Sequence, residues 1–287
     1  MTPDGSTNGV CVLDAIPVGE LNTARRIYND LRDVSAFIAP GLFVKYYRVE
    51  TQEDLSTAFE ELTAMAKNDG LNPWLHLEGH GLPDESGFCL AEGEACSWEQ
   101  LRELLVPLNV ACNLNVLLLL ATCFGGSFAK VVDPTSRAPV LALVGPVREI
   151  QVGEIEIDFP RFYKVFFESG SIGDAIAALT TRAGSGLYFG TAAKKHFVDA
   201  WRAFKKNECT PLRIEERARA IRKELKGNRE LPHVPSLGRL KRMLLSKETE
   251  RAEFEKYSEE FFMFDVYPAN RARFHLTYDE LRRETAC

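Results

Sequence analysis

The stretch 116–127, VLLLLATCFGGS, limits what this chain can fold into more than any other. Over 116–121 the residues are apolar without a break. A strand with one face in water alternates polar and apolar residues, so an unbroken run has to be covered on both faces. Helices packed against the two sides of a parallel sheet supply that cover. Such sheets carry their chemistry at the carboxyl ends of the strands, which is where Cys123 falls. Gly125 and Gly126 allow a sharp turn, and Ser127 is expected to cap a short helix running to Val132 before Pro134 stops it. A cysteine in that crook has two readings. It is a small buried hydrophobe, or it is a thiol beside a helix N-terminus, where a thiolate is favoured.

The rest of the chain repeats the alternation. Residues 9–16, 42–49, 74–81, 139–145 and 186–190 read as strands beside 116–121. Between the first two, Leu21, Ala24, Ile27, Tyr28 and Leu31 share one helical face. Thr51 then caps a helix with the stripe Leu55, Ala58, Phe59, Leu62 and Ala66, and Gly70 ends it. A hairpin is expected to turn at Glu92–Gly93, and Ser97 to open a helix carrying Leu101, Leu104 and Leu105. A further helix is placed at 160–168, and another opens at Ser171 with Asp174 in the capping position. Strands alternating with helices mean an α/β fold: an open, mainly parallel six-stranded sheet with helices on both faces. With 45% hydrophobic and 26% charged residues, the 287-residue chain has the composition of a soluble globular protein.

Several function classes drop out. The opening MTPDGSTNGV lacks the basic patch and apolar run of a signal peptide, and no apolar run reaches membrane-spanning length, so the expectation is a cytoplasmic protein. The seven cysteines are irregularly spaced and form neither a CxxC pair nor a Cys/His cluster, which argues against a disulfide scaffold or a metal site. Cys287 is terminal, whereas prenylation needs the cysteine fourth from the end. No GxGxxG follows the first strand, so a dinucleotide-binding enzyme falls behind. No cofactor is expected.

The third strand bears on Cys123. In LHLEGHG (75–81), His80 stands between two glycines at a strand's carboxyl end. If the third and fourth strands are neighbours, an imidazole faces a thiol across one crevice. A free thiol is mostly protonated at neutral pH, and a nearby base or positive charge raises the thiolate that does nucleophilic chemistry. Backbone N–H groups at glycine turns also provide an oxyanion hole.

EGHG at 78–81 and ATCFGG at 121–126, with the hairpin between them, together resemble the caspase-like clan of cysteine peptidases, which takes in caspases, metacaspases, gingipains, separases and CHAT-domain peptidases. The resemblance covers about 1–205 in strand order and about ten residues in motif. It implies a caspase-like fold and a His80–Cys123 dyad, with the N–H groups of Gly81 and Cys123 holding the oxyanion. It also implies hydrolysis of a protein or peptide substrate through a thioester. Stand-alone bacterial members of the clan act as triggered effectors in antiviral defence or cell death. Two residues before the nucleophile, where caspases carry glutamine and several relatives an acid, this chain has Ala121. The preference for P1, the residue whose carbonyl is attacked, is therefore open. Asp14, Arg148 and the acidic run Glu154, Glu156 and Asp158 are candidates for the pocket border or are solvated loop charges. His76 alternates with Leu75 and Leu77 and reads as a satisfied structural histidine. Glu78 is either an orienting group for His80 or a sheet-edge carboxylate.

Beyond about Asn207 the composition changes. Residues 205–251 hold 14 basic and 7 acidic residues, whereas 1–204 hold 16 and 26. Thr210, Pro211, the stripe Ile214, Ala218, Ile221 and Leu225, and Gly227 outline one helix. NRELPHVPS (228–236) reads as a loop, 237–260 as one or two further helices, and the aromatic segments 261–267 and 273–278 as a strand pair or docking segment. The expected division is a peptidase domain at 1–207 and a basic, mainly helical appendage at 208–287. Arg217, Arg222 and Lys226 are candidates for binding an anionic regulator, such as a nucleotide, or a partner protein. No phosphate loop or RNA-binding signature points to direct nucleic-acid binding. The alternative to an enzyme is a caspase-like fold kept as a ligand-binding or scaffold module.

Overall fold

The computed structural model describes residues 7–182, 186–227 and 233–285. The chain divides into two compact units, one of residues 1–133 with 138–193 and one of 134–137 with 194–287.

The first unit is an α/β sheet structure. In chain order it runs β1 (Gly9–Ala15), α1 (Thr23–Phe37), β2 (Phe43–Arg48), α2 (Gln52–Asp69), β3 (Pro73–Gly79), the hairpin β4 (Gly87–Cys89) and β5 (Ala95–Ser97), α3 (Trp98–Ala111) and β6 (Leu117–Ala121). A 3-10 turn over Gly125–Val131 leads to β7 (Ala142–Pro146), α4 (Val152–Ser169), α5 (Ile172–Arg182) and β8 (Tyr188–Ala192). The six-stranded sheet has the order β2-β1-β3-β6-β7-β8, parallel except for the antiparallel pairing of β8 with β7. Every residue of β6 is buried, as its unbroken apolar run requires. Leu118 and Leu120 pack on one face with Leu55, Phe59 and Leu62 of α2 and Leu101, Leu105 and Leu108 of α3. Leu117, Leu119 and Ala121 pack on the other with Ala24, Ile27 and Leu31 of α1, Phe159 and Phe162 of α4 and Leu179 of α5.

Local chemistry sets the ends of the elements. Reciprocal capping boxes open α2 (Thr51 with Asp54) and α3 (Ser97 with Gln100). Gly70 ends α2 in the left-handed conformation at φ 68°. Two expectations at helix starts are corrected. α4 begins at Val152 rather than at Pro160, because the Gln151 backbone pairs reciprocally with Glu154, and Pro160 sits inside the helix. Glu154, Glu156 and Asp158 are therefore helical rather than on a loop. Ser127 caps nothing: the turn after β6 starts from Phe124 without a side-chain cap, and the Ser127 hydroxyl donates to Glu85 at 3.0 Å.

The second unit is helical: α6 (Ala193–Glu208), α7 (Pro211–Gly227), α8 (Leu237–Leu244), α9 (Lys247–Phe261), α10 (Asn270–Phe274) and α11 (Tyr278–Thr285). It begins earlier than the 207/208 division read from composition, and packing is the reason. Phe197 of α6 has its ring 5.7, 5.3 and 5.1 Å from those of Phe254, Phe261 and Phe262, and Trp201 lies 5.3 Å from Phe254. Charge composition marks solvated surface, whereas the boundary follows the buried aromatics. The expected strand pair at 261–267 and 273–278 is instead a turn followed by α10 and the start of α11. Phe261, Phe262 and Met263 are buried there and Asn270 Nδ2 donates to Phe262 O at 3.1 Å. The loop expected at 228–236 lies partly outside the described residues.

Candidate active site

The site grows from one strand pair. β3 and β6 run parallel, and their last paired residues are Glu78 and Ala121. Two residues further along each strand stand His80 and Cys123, so the register delivers both to the same edge. The sheet order changes direction between β1 and β3, and loops leaving such a point open a crevice. Glu20 comes from the loop after β1, and Ile150 from the loop after β7.

Gly81 explains its own identity. A Cβ built there would lie 2.0 Å from Cys123 O and 3.0 Å from Cys123 Cβ, so the two chains touch backbone to backbone. Neither the Gly81 nor the Cys123 N–H donates a hydrogen bond to another described residue. The turn beyond the thiol is just as tight. Phe124 holds a left-handed φ of 58°, with its N–H donating to Arg148 O at 3.2 Å. A Cβ on Gly145 would meet Gly125 C at 2.7 Å, so β7 also approaches the turn through bare backbone.

Cys123 is half-buried, and its sulfur meets both polar groups of one residue. The Ile150 N–H donates to Sγ at 3.4 Å, and Sγ lies 3.8 Å from Ile150 O. His80 has a side chain 56% exposed, and its Nε2 pairs with Glu20 Oε2 at 2.8 Å. No hydrogen bond joins His80 to Cys123 among the described residues. Both line a cavity of about 60 Å³, together with Glu20, Glu78 and Ala121. Three other cysteines, Cys11, Cys96 and Cys112, are buried instead. Burial pushes the Cys96 and Cys112 thiols up to about 12 and raises Cys11 further.

The remaining expected site residues are placed as follows. Asp14 is buried at the end of β1, where it accepts from Ile16 N–H at 2.9 Å, Asn22 Nδ2 at 2.6 Å and the Tyr46 hydroxyl, and pairs with Arg48 at 2.9 Å. That shape is a clamp on the β1 loop, and Asp14 does not line the cavity. Asp158 is buried in α4, accepts from Tyr188 OH at 2.9 Å and does not line it either. Arg148 is exposed, donating to Glu149 O at 3.0 Å and lying 3.6 Å from Glu154, also off the cavity wall. In the second unit, Arg217 donates to Glu253 at 2.8 Å. Arg222 and Lys226 follow on the same helix with no ion pair to a described residue. Several of the basic residues there are paired locally, as in Lys205–Glu250 and Lys241–Glu215.

No protein-family model matches this chain, and no curated protein matches it in sequence. Its chemistry is read from the residues alone.

The sequence reading missed Glu20 and Ile150. Nothing in PVGELN marks Glu20 as a partner for a histidine sixty residues away. The role of Glu78 was legible only in part. The alternation in HLEGH puts His76, Glu78 and His80 on one face, yet Glu78 turns inward, bonding His76 Nε2 at 2.8 Å and the Thr23 hydroxyl, and leaves His80 to Glu20. His76 is fully buried, with Nδ1 3.1 Å from Tyr163 OH.

Proposed function

We propose that this chain is a caspase-like cysteine endopeptidase in which His80 and Cys123 act as a dyad. The observation that carries the reading is the backbone contact of Gly81 with Cys123 at the carboxyl edge of β3 and β6. It brings a thiol, an imidazole and two unused N–H donors to one crevice, the set that acyl transfer requires. Cys123 as thiolate attacks the scissile carbonyl carbon, and the oxyanion accepts from the Gly81 and Cys123 N–H groups. His80, having taken the thiol proton, gives it to the leaving amine. Water then attacks the thioester with His80 as base, releasing the carboxyl product and restoring the thiol. Glu20 engages Nε2, so Nδ1 is the nitrogen left to exchange that proton. In reacting, the thiolate leaves the Ile150 backbone groups that hold it here. Apo sites commonly show such loose catalytic contacts, which tighten with substrate bound.

The non-catalytic reading draws on that same pairing of the sulfur with Ile150 and of His80 with Glu20. The two separate in one experiment. The purified protein is profiled on a peptide library and labelled with a thiol-directed probe, beside Cys123→Ala and His80→Ala. Cleavage lost in both variants, with the probe on Cys123 ahead of the other cysteines, supports the peptidase. Wild-type cleavage in either variant, or labelling elsewhere, leaves the scaffold reading. A role as a triggered effector belongs to the same proposal and rests on the resemblance in EGHG and ATCFGG.

A further inference from the structure

The cavity beside Cys123 has a buried carboxylate in its wall. Alternation along β3 puts Glu78 on the face that carries His76 and His80, and its cross-strand neighbour on β6 is Ala121. Both residues line the cavity. Glu78 is 1% exposed.

Both of its carboxyl oxygens are engaged. His76 Nε2 lies 2.8 Å from Oε1, with Nδ1 of the same ring 3.1 Å from Tyr163 OH, and the Thr23 hydroxyl donates to Oε2. No lysine or arginine among the described residues pairs with Glu78. A carboxyl group held out of water gains from a cation brought to it. The neighbouring walls, Ile16, Leu21, Val152 and Ile155, are apolar, and the other charged lining group besides His80 is the carboxylate of Glu20.

We infer that Glu78 is a specificity-determining residue and that the pocket takes a cationic P1 side chain, lysine ahead of arginine. This rests on the peptidase reading above. The apolar walls cover the aliphatic stem while the ammonium reaches the carboxylate. With Oε1 engaged by His76 and Oε2 by Thr23, the carboxylate presents no open pair of oxygens to a planar guanidinium fork, which favours a compact ammonium.

Peptidyl chloromethyl ketones that differ only at P1 (Lys, Arg, Leu or Asp) test it. The thiolate displaces chloride and forms a thioether, read as added mass on Cys123. The Lys reagent is expected to label about tenfold or more faster than the Leu and Asp reagents and to lead Arg. Glu78→Gln should erase that lead while iodoacetamide still labels Cys123 at the wild-type rate. Ala121→Val fills the cavity from the neighbouring strand, keeps the carboxylate's partners and should slow the Lys reagent selectively. Fastest labelling by the Leu or Asp reagent, or a Lys lead surviving in both variants, overturns the pocket assignment and leaves the nucleophile intact. Labelling of Cys123 by iodoacetamide but by none of the peptides removes the peptidase reading and this assignment with it.

Discussion

Two histidines on β3 show what position does to one residue type. His76 lies in the middle of the strand, fully buried, with both ring nitrogens engaged by Tyr163 and Glu78. His80, just past the strand's end on the same face, is largely in solvent and is held through one nitrogen by Glu20. Their cross-strand surroundings on β6 differ in the same way, Leu119 beside the first and Cys123 at the edge of the second. The interior of the sheet satisfies a polar side chain and silences it. The edge leaves it a free valence.

The comparison breaks if the edge residues are dispensable. Cys123→Ala is expected to lower peptide cleavage by about 10⁴-fold or more, whereas Cys112→Ala in the core leaves cleavage in place and costs about 1 kcal/mol of stability, read by denaturant melting. The sulfurs themselves give the same contrast. A thiol whose pKa is pushed up to about 12 stays protonated at pH 8, so Cys96 and Cys112 should resist iodoacetamide under conditions that modify Cys123. Mass spectrometry of the alkylated peptides checks the order.

Gly81→Ala should cost about 100-fold in cleavage, because its Cβ would have to displace the Cys123 carbonyl from 2.0 Å and a small misplacement of the reacting groups is enough for such a loss. Glu20→Ala removes only a partner of His80. About a tenfold loss in kcat with KM little changed is expected, partly restored in Glu20→Asp. Equal rates in Glu20→Ala and wild type would make the contact a surface ion pair and nothing more. The smallest effect belongs to the second unit. Arg137→Ala, which breaks the paired bonds of 3.0 and 2.6 Å to Asp265, should lower stability by no more than about 1 kcal/mol, since the pair is partly exposed.

What was legible in the sequence follows the same division. The unbroken run at 116–121 and the alternation around it specified a sheet covered on both faces, because burial leaves its mark on every residue of a strand. His80, between two glycines, and Cys123, two residues before a glycine pair, stood out because close backbone approach excludes other residues. Asp14 and Asp158 were read as pocket borders or loop charges and are buried clamps. Nothing local to an acidic residue says whether its partners come from distant strands. The aromatic segment 261–267 was read as part of a strand pair or a docking segment, because aromatic density is shared by strands and by tightly packed turns. Met263 at φ 57°, a conformation outside any strand, decides between them.

The bare contacts at Gly81, Gly125 and Gly145 say what a relative of this chain would look like. The side chains that line the crevice can change, and with them most of the recognisable signature. The two places where one main chain leans on another, Gly81 on Cys123 and Gly145 on Gly125, cannot, since an added carbon on either glycine would force the backbones apart. Kinship to this protein would be written less in the side chains of its crevice than in the positions where it carries none at all.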